Sequence, residues 1–327
     1  MQKSVTCSVQ SKISCIFGTQ VIEIPSKKRF GQNYKIVATK QISKQALASD
    51  VKFATVTEKI DGTCCCVKKY QGQICLWARF DRKPSKSAEK RFKKFQNQHR
   101  EWINNGKQGE EPRFKWNYPD DMKVVPQNWV PADGVERTGV GLVPDANGHI
   151  PGWVPISSDP RQYCWHHCVV VAGDSILVLL RNNGGLKITT VHMSELEGKT
   201  LELIGTHVNG NPYGLGSKQS PFHILVEHGQ ILVNNPPVID YDDIKDWLND
   251  KAPIEGIVWH CEDGNMFKIH RHHLGLEWPC DVTTPLLCQM PVTIEIEDSV
   301  MIQQSPLINK LFESETVFFK SLKDVLS

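Results

Sequence analysis

Short apolar runs alternate with polar residues along most of this chain, the period-2 pattern of half-buried strands. YKIVATK (34–40), FATVTEKI (53–60), CCCVKKY (64–70) and ICLWARF (74–80) read this way. The last two meet at Gln71-Gly72-Gln73, a hairpin signature. The pattern returns in HHCVVVAG (166–173), SILVLLR, LKITTVHM, TLELIG, PFHILVEHG and ILVNN (231–235). IEGIVWHCEDGNMFKIHR (254–271) reads as a hairpin turning at Glu262-Asp263-Gly264-Asn265. Helical spacing is scarcer. It predicts a short helix in SKQALASD with Ser43 as N-cap, and a basic helix carrying Phe92 and Phe95. It also predicts a helix in IDYDDIKDWLND and a closing amphipathic helix over PLINKLFESETVFFKSLKDVL (306–326). Many antiparallel strands with scattered helices predict the α+β class.

Residues 104–163 fit neither period. They are rich in Pro, Gly and Asn, yet hold Trp116, Trp129 and Trp153. Flexible linkers lack such large aromatics. The stretch is expected to be an irregular insertion packed on the main domain, with WVPAD and GWVPI as short strand-like pieces.

Composition narrows the class. Of 327 residues, 40% are apolar and 23% charged, as in a soluble globular protein. The net charge of +2 makes a polycation impossible, so any nucleic-acid surface must be a local patch. No apolar run is long enough for a signal peptide or a membrane span. The expected location is cytoplasmic, with the nucleus as a second site, and the eleven cysteines are expected to stay reduced.

Candidate chemistry centres on TEKIDGTCCC (57–66). A lysine amine becomes a nucleophile when it is desolvated or placed beside another cation. Lys59 falls at a strand end, before Asp61 and Gly62, and glycine allows close backbone approach. Glu202 in LELIG, Glu255 in IEGIVW and Lys268 in NMFKIHR are charges inside apolar strand segments, costly unless paired or ligand-bound. Two glutamates and two lysines brought together would make a metal and triphosphate site, since Mg2+ takes carboxylate and phosphate oxygens. Cys64, Cys65 and Cys66 are consecutive, so in a strand they cannot share one face, and they are expected to pack as small buried residues. In CWHHC (164–168), a strand would put Cys164, His166 and Cys168 on one face, but no second pair completes a standard zinc site.

EKIDGT, ARFDR, LELIG, EGIV and FKIH stand in the order of the covalent nucleotidyltransferases, the DNA ligases, RNA ligases and mRNA capping enzymes. Longer stretches resemble the small ATP-dependent 5′-to-3′ RNA ligases of vertebrates. These are EKIDGTCC, LWARFDRKP, AEKRFK, DANGHIPGWVP, TLELIGTHVNGNPYGLGSK, EGIVWHCEDG and KIHRHHLGL. The resemblance implies an ATP-grasp-like nucleotidyltransferase domain of antiparallel sheets flanked by helices. It also implies auto-adenylylation of Lys59 to lysyl-AMP with ATP and Mg2+ (or Mn2+). AMP then passes to an RNA 5′-phosphate, and a 3′-hydroxyl end seals the strand, as in RNA repair. Glu58, Asp61, Gly62, Arg79, Glu202 and Lys268 would surround the nucleotide, with Phe222 or His223 stacking on adenine. Glu202 and Glu255 would hold the metal, and Lys268 would join Lys59 as a catalytic residue at the α-phosphate.

Two departures from the family pattern qualify this reading. The usual Lys-x-Lys ending is here Lys268-Ile269-His270, followed by Arg271, so the second cation would be His270 or Arg271. After Lys268 only 59 residues remain, too few for the expected OB fold. The resulting expectation is an adenylation domain over 1–270, including the insertion, and a helical extension over 271–327, as a monomer. From Arg79 to Lys94 eight residues are basic and two acidic, which points to RNA backbone contact, with Arg82 and Lys83 first and Arg271 beside the nucleotide. A GTP-dependent capping enzyme and a catalytically silent RNA-binding module are the alternatives.

Overall fold

In chain order the strands and helices begin with β1 (Ser14–Cys15), β2 (Phe17–Ile22), β3 (Lys35–Ile42), α1 (Lys44–Ala48), β4 (Thr55–Glu58), β5 (Thr63–Tyr70) and β6 (Gln73–Arg79). There follow α2 (Lys86–Asn104), β7 (Val130–Pro131), β8 (Arg137–Thr138), β9 (Gly141–Leu142), β10 (Gly152–Pro155) and α3 (Cys164–His167). The rest are β11 (Ser175–Asn182), β12 (Gly185–His192), β13 (Thr200–Gly205), β14 (His223–Glu227), α4 (Tyr241–Asp250), β15 (Gly256–His260), β16 (Met266–His270), α5 (Leu286–Gln289), β17 (Val292–Glu295) and β18 (Val317–Phe319). This computed structural model describes residues 8–22, 24, 35–159, 161–171, 173–280, 283–296 and 317–326. The content is α+β, as the alternation predicted. The chain forms two units, one of residues up to Val9, Ile13–Leu76 and Asp159 onward, the other of Gln10–Lys12 and Trp77–Ser158.

The first unit holds a small sheet in the order β1-β16-β15-β4 and a larger one running β18-β17-β12-β11-β14-β13-β5-β6. Both are mixed rather than purely antiparallel, because β1 runs parallel to β16, β11 to β14 and β12 to β17. Period-2 alternation decides the faces. In β16, Phe267 and Ile269 enter the core with Ile257 and Trp259 of β15, which leaves Lys268 and His270 on the opposite face. Helix α4 covers the apolar side with Ile244 and Leu248, one turn apart and fully buried, worth about 2 kcal/mol each. The Asp240 side chain caps this helix by accepting from the amides of Asp242 and Asp243. Ser43 caps α1 as its sequence predicted, accepting from the Ala46 amide.

Three elements differ from expectation. CWHHC is helical, with α3 closed by Cys168 N–H to Cys164 O at 3.2 Å, so the face expected of a strand does not exist. ILVNN makes only an isolated bridge, Thr57 with Leu232, and ends at Asn235 in the left-handed region. Residues 297–316 of the expected closing region lie outside the described residues; beyond them come β18, paired with β17, and a 3-10 turn over Asp324–Leu326. The apolar spacing there serves a sheet, with Leu322 and Val325 buried against the β12–β17 side of the core.

In the second unit, Ser85 caps α2, whose Ala88 and Phe92 turn inward. Phe92 meets Phe114 and Trp116 with ring centroids 5.1 and 4.9 Å apart. Trp129 donates its indole N–H to Phe80 O at 2.8 Å, and the buried Trp153 donates to Gln10 Oε1 at 2.9 Å. The tryptophans of the irregular stretch are therefore core and anchor residues of this unit, which also takes in the basic helix.

Candidate active site

Lys59 leaves the end of β4 on a path fixed by two glycines. Its amide donates to Gly256 O at 2.8 Å. A side chain at Gly256 would strike the Ile269 carbonyl and His270. At Gly62 a Cβ would strike the Leu203 carbonyl, with the Ile204 side chain at 2.9 Å and Glu202 at 3.0 Å. The close approach inferred for Gly62 is thus to the β13 backbone. There its amide donates to Glu202 Oε1 at 3.1 Å.

The Lys59 amine is hydrogen-bonded to Glu255 Oε2. Their side chains are 22% and 10% exposed, enough for a substrate to reach the amine. Burial pushes the amine toward neutrality, but Glu255, Glu202 and Asp61 outweigh it, so its pKa stands above the ordinary lysine value. Here Lys59 is an ammonium. Burial raises Glu255, against the pull of Lys59 and with further repulsion from Asp61 and Glu202. Asp61 is fully engaged. Its carboxylate accepts from Trp278 Nε1 at 2.7 Å and from Asn209, and its amide donates to Tyr213 Oη at 2.8 Å. Asn209 and its neighbour Asn211 sit in the left-handed region that asparagine tolerates. Glu58 is buried with no hydrogen-bond partner for Oε1, and burial followed by repulsion from Glu255 raises its pKa to about 8.

Lys268 shares its face with His270, and both Lys268 and Lys59 act on the His270 charge. Neither expected substitute supplies a second cation. Burial, then His273, Lys268 and Lys59, drive the His270 pKa far below normal, and its ring stacks on His273 at 3.7 Å. It is a neutral imidazole. Arg271 is 5% exposed and donates to backbone carbonyls of Ile254 (2.9 Å), Ala252 (3.2 Å), Glu277 (3.3 Å) and Leu248, which makes it a clamp on the chain before β15. The arginine expected at RNA is turned inward, because unsatisfied carbonyls compete for its five donors.

Phe222 lies wholly within the core of the large sheet, which removes it as a stacking surface. His223 is buried too, stacked on Trp165 at 4.9 Å and bonded to Thr206 O at 2.8 Å. Arg79, Arg82 and Lys83 belong to the second unit. Arg79 donates to Asp81 at 2.6 Å and to Gln10 O at 2.8 Å, over the Trp153 ring. Arg82 donates to Lys123 O at 2.7 Å and Tyr118 Oη at 2.8 Å, while Lys83 is exposed.

Glu202 and Glu255 offer the oxygen donors that Mg2+ or Mn2+ takes. Glu255, Glu202 and Asp61 all act on the Lys59 ammonium, so with Lys268 counted on the same side the carboxylates still outnumber the ammonium groups and a further cation fits. Sequence reading missed His228, whose Nε2 lies 2.9 Å from Glu202 Oε2, and missed Tyr213, Asn209 and Trp278 around Asp61. No spacing signal marks these residues: Asn209 and Tyr213 come from the β13–β14 connection, His228 from the end of β14 and Trp278 from the segment after β16.

The RNA ligase 1 family profile matches residues 3–327. A mouse protein named RNA ligase 1 is 46% identical over 329 aligned residues, covering 98% of each chain. One from Danio rerio is 47% identical over 298, covering 89% of this chain and 88% of its own. One from Pongo abelii is 44% identical over 329, covering 98% of each. Matches of this extent, around a lysine held between the carboxylates of two sheets, place the chain in the RNA ligase 1 family.

Proposed function

We propose that the protein is an ATP-dependent RNA ligase that works through a lysyl-AMP on Lys59 and joins a 5′-phosphate to a 3′-hydroxyl end, in RNA repair. The observation that carries this reading is the half-buried Lys59 amine, paired with Glu255 and acted on by Glu202 and Asp61, in a chain of the RNA ligase 1 family. The Lys59 ammonium first loses a proton to solvent, the free amine nitrogen then bonds to the α-phosphorus of ATP as the bond to pyrophosphate breaks, and the second proton leaves to solvent. An RNA 5′-phosphate then takes AMP from Lys59. The 3′-hydroxyl of the other end attacks that phosphate, the phosphodiester forms and AMP departs.

The residues have separate tasks. Glu255 orients the amine. Asp61, held by Trp278, Asn209 and Tyr213, fixes the loop that carries it. Lys268 places positive charge on the same side, where it favours the developing charge at phosphorus. Mg2+ or Mn2+, held by Glu202 and Glu255, would neutralise triphosphate charge and weaken the carboxylate pull that keeps Lys59 protonated. The exposed basic side chains of the second unit, Lys83 first among them, would follow the RNA backbone. A monomer in the cytoplasm, and in the nucleus, completes the reading. No helix among the described residues is long and apolar enough to cross a membrane.

The test is incubation with α-labelled ATP or GTP and Mg2+, wild type against Lys59→Ala, followed by denaturing electrophoresis. Label from ATP that is absent in the variant is the expected result. Label from GTP would turn the reading to capping chemistry. No label from either, in protein shown by mass to carry no nucleotide, would leave a silent RNA-binding module.

A further inference from the structure

β5 and β13 lie side by side with Cys64 directly opposite Glu202, and His228 follows the end of β14. The Cys64 thiol, a Glu202 carboxylate oxygen and a His228 ring nitrogen lie within 4.8 Å of one another. We propose that these three side chains form a binding site for a thiophilic divalent cation of the Zn2+ type, whose occupancy withdraws Glu202 from the nucleotide and inhibits adenylylation. The inhibitory half rests on the ligase reading above; the binding half does not.

The donor set is one sulfur, one nitrogen and one oxygen, which suits zinc and does not suit magnesium. Zinc bond lengths of about 2.0–2.3 Å in a tetrahedron put ligand atoms roughly 3.3–3.6 Å apart, a small adjustment from the present spacing. Two of the three ligands are already oriented. The His228 Nδ1 is 2.9 Å from the Thr200 hydroxyl, and its backbone amide donates to Thr200 O at 3.1 Å, which turns Nε2 toward Glu202. Thr200 is itself fully buried. Such an outer partner on the second ring nitrogen is the usual support of a metal-bound imidazole. Glu202 is held from its other side by the Gly62 amide, so Oε2 alone is presented to His228.

All three residues are partly open to solvent, which leaves room for a water as fourth ligand. On binding, the Cys64 thiol releases its proton to solvent. With Oε1 held by the Gly62 amide, Oε2 is the oxygen that Glu202 has to offer, so this site and a hard-metal site with Glu255 compete for it. The sequence-level candidate CWHHC forms no such group among the described residues.

The experiment begins with full-length protein stripped by chelator and titrated with Co2+ in the absence of nucleotide, following thiolate-to-cobalt charge-transfer absorbance. Zn2+ is then titrated against a chromophoric chelator. The wild type is expected to give a one-to-one band that Zn2+ displaces. Cys64→Ser should abolish the band, and Cys75→Ser, on the neighbouring strand β6, should keep it. His228→Gln should weaken Zn2+ binding by about 10- to 100-fold without touching a thiol. No thiolate band in the wild type, or one that survives Cys64→Ser, overturns the site. With ATP and Mg2+, Zn2+ at its measured affinity should suppress self-labelling of the wild type but not of Cys64→Ser; equal suppression of both overturns the inhibitory half. A protein that labels with no nucleotide at all would defeat the ligase reading while the cobalt titration still decides the site.

Discussion

Around Lys59 the charged groups are buried or half-buried and act on one another; along α2 the basic side chains stand in water. Asp61 has three partners and Lys59 answers to three carboxylates. On α2, the 53% exposed Arg91 reaches the buried Asp121 at 2.6 Å, whereas Lys93 and Glu89, 56% and 46% exposed, pair at the surface at 2.7 Å. Solvent-screened pairs of this kind are worth about 0.2–1 kcal/mol. Breaking a buried pair costs about 3–5 kcal/mol, because the survivor is left charged without water. A chain keeps the first arrangement cheaply for solubility or for a polyanion. The buried pair is retained for a reason that offsets its cost, and under the function proposed above that reason is the nucleophilic role of Lys59.

The comparison breaks first at Glu255. Glu255→Ala should lower stability by about 3 kcal/mol at neutral pH and lower the self-labelling rate by at least about 100-fold. Urea unfolding and single-turnover labelling read the two effects, and unchanged values in both would mean that the pair is incidental. Gly62→Ala forces a Cβ into the Leu203 carbonyl, and the β13 backbone has no room to yield. A loss of about 2–4 kcal/mol is expected by thermal or urea unfolding, with labelling reduced in step.

Glu58 sharpens the comparison through pH. Its folded pKa is about 8, against an ordinary value of 4.5. Below the unfolded value both states are protonated. Between the two values the folded state binds the extra proton, so stability falls as pH rises through that window and levels off above about 8. The slope is at most about 1.4 kcal/mol per pH unit. Glu58→Gln should flatten it, as urea midpoints measured across the window would show. The smallest stability effect is expected at exposed Lys83, where Lys83→Ala should change unfolding by under about 0.5 kcal/mol. The same substitution should reduce the salt dependence of RNA binding by about one counterion.

Particular residues show what could be read in advance. The hairpin at Gln71-Gly72, the cap at Ser43, the helix in IDYDDIKDWLND and the strand end before Lys59 are local, and they were legible. Glu202, Glu255 and Lys268 stood out because a charge in an apolar strand needs an explanation, and Lys59 because it ends a strand before Asp61 and Gly62. Arg271 and His270 misled because their neighbours in sequence are basic, while their neighbours in space are carbonyls and other imidazoles. CWHHC misled because five residues can follow either period.

The α+β class and the local caps and turns were therefore determined by the sequence alone, since capping, alternation and turn chemistry act over a few residues. Only the tertiary structure decided which charges are free, which are clamps, and which thiol faces Glu202. Those outcomes depend on strands far apart in the chain, Cys64 with Glu202 and Lys59 with Glu255, whose pairing is set by the packing of whole sheets.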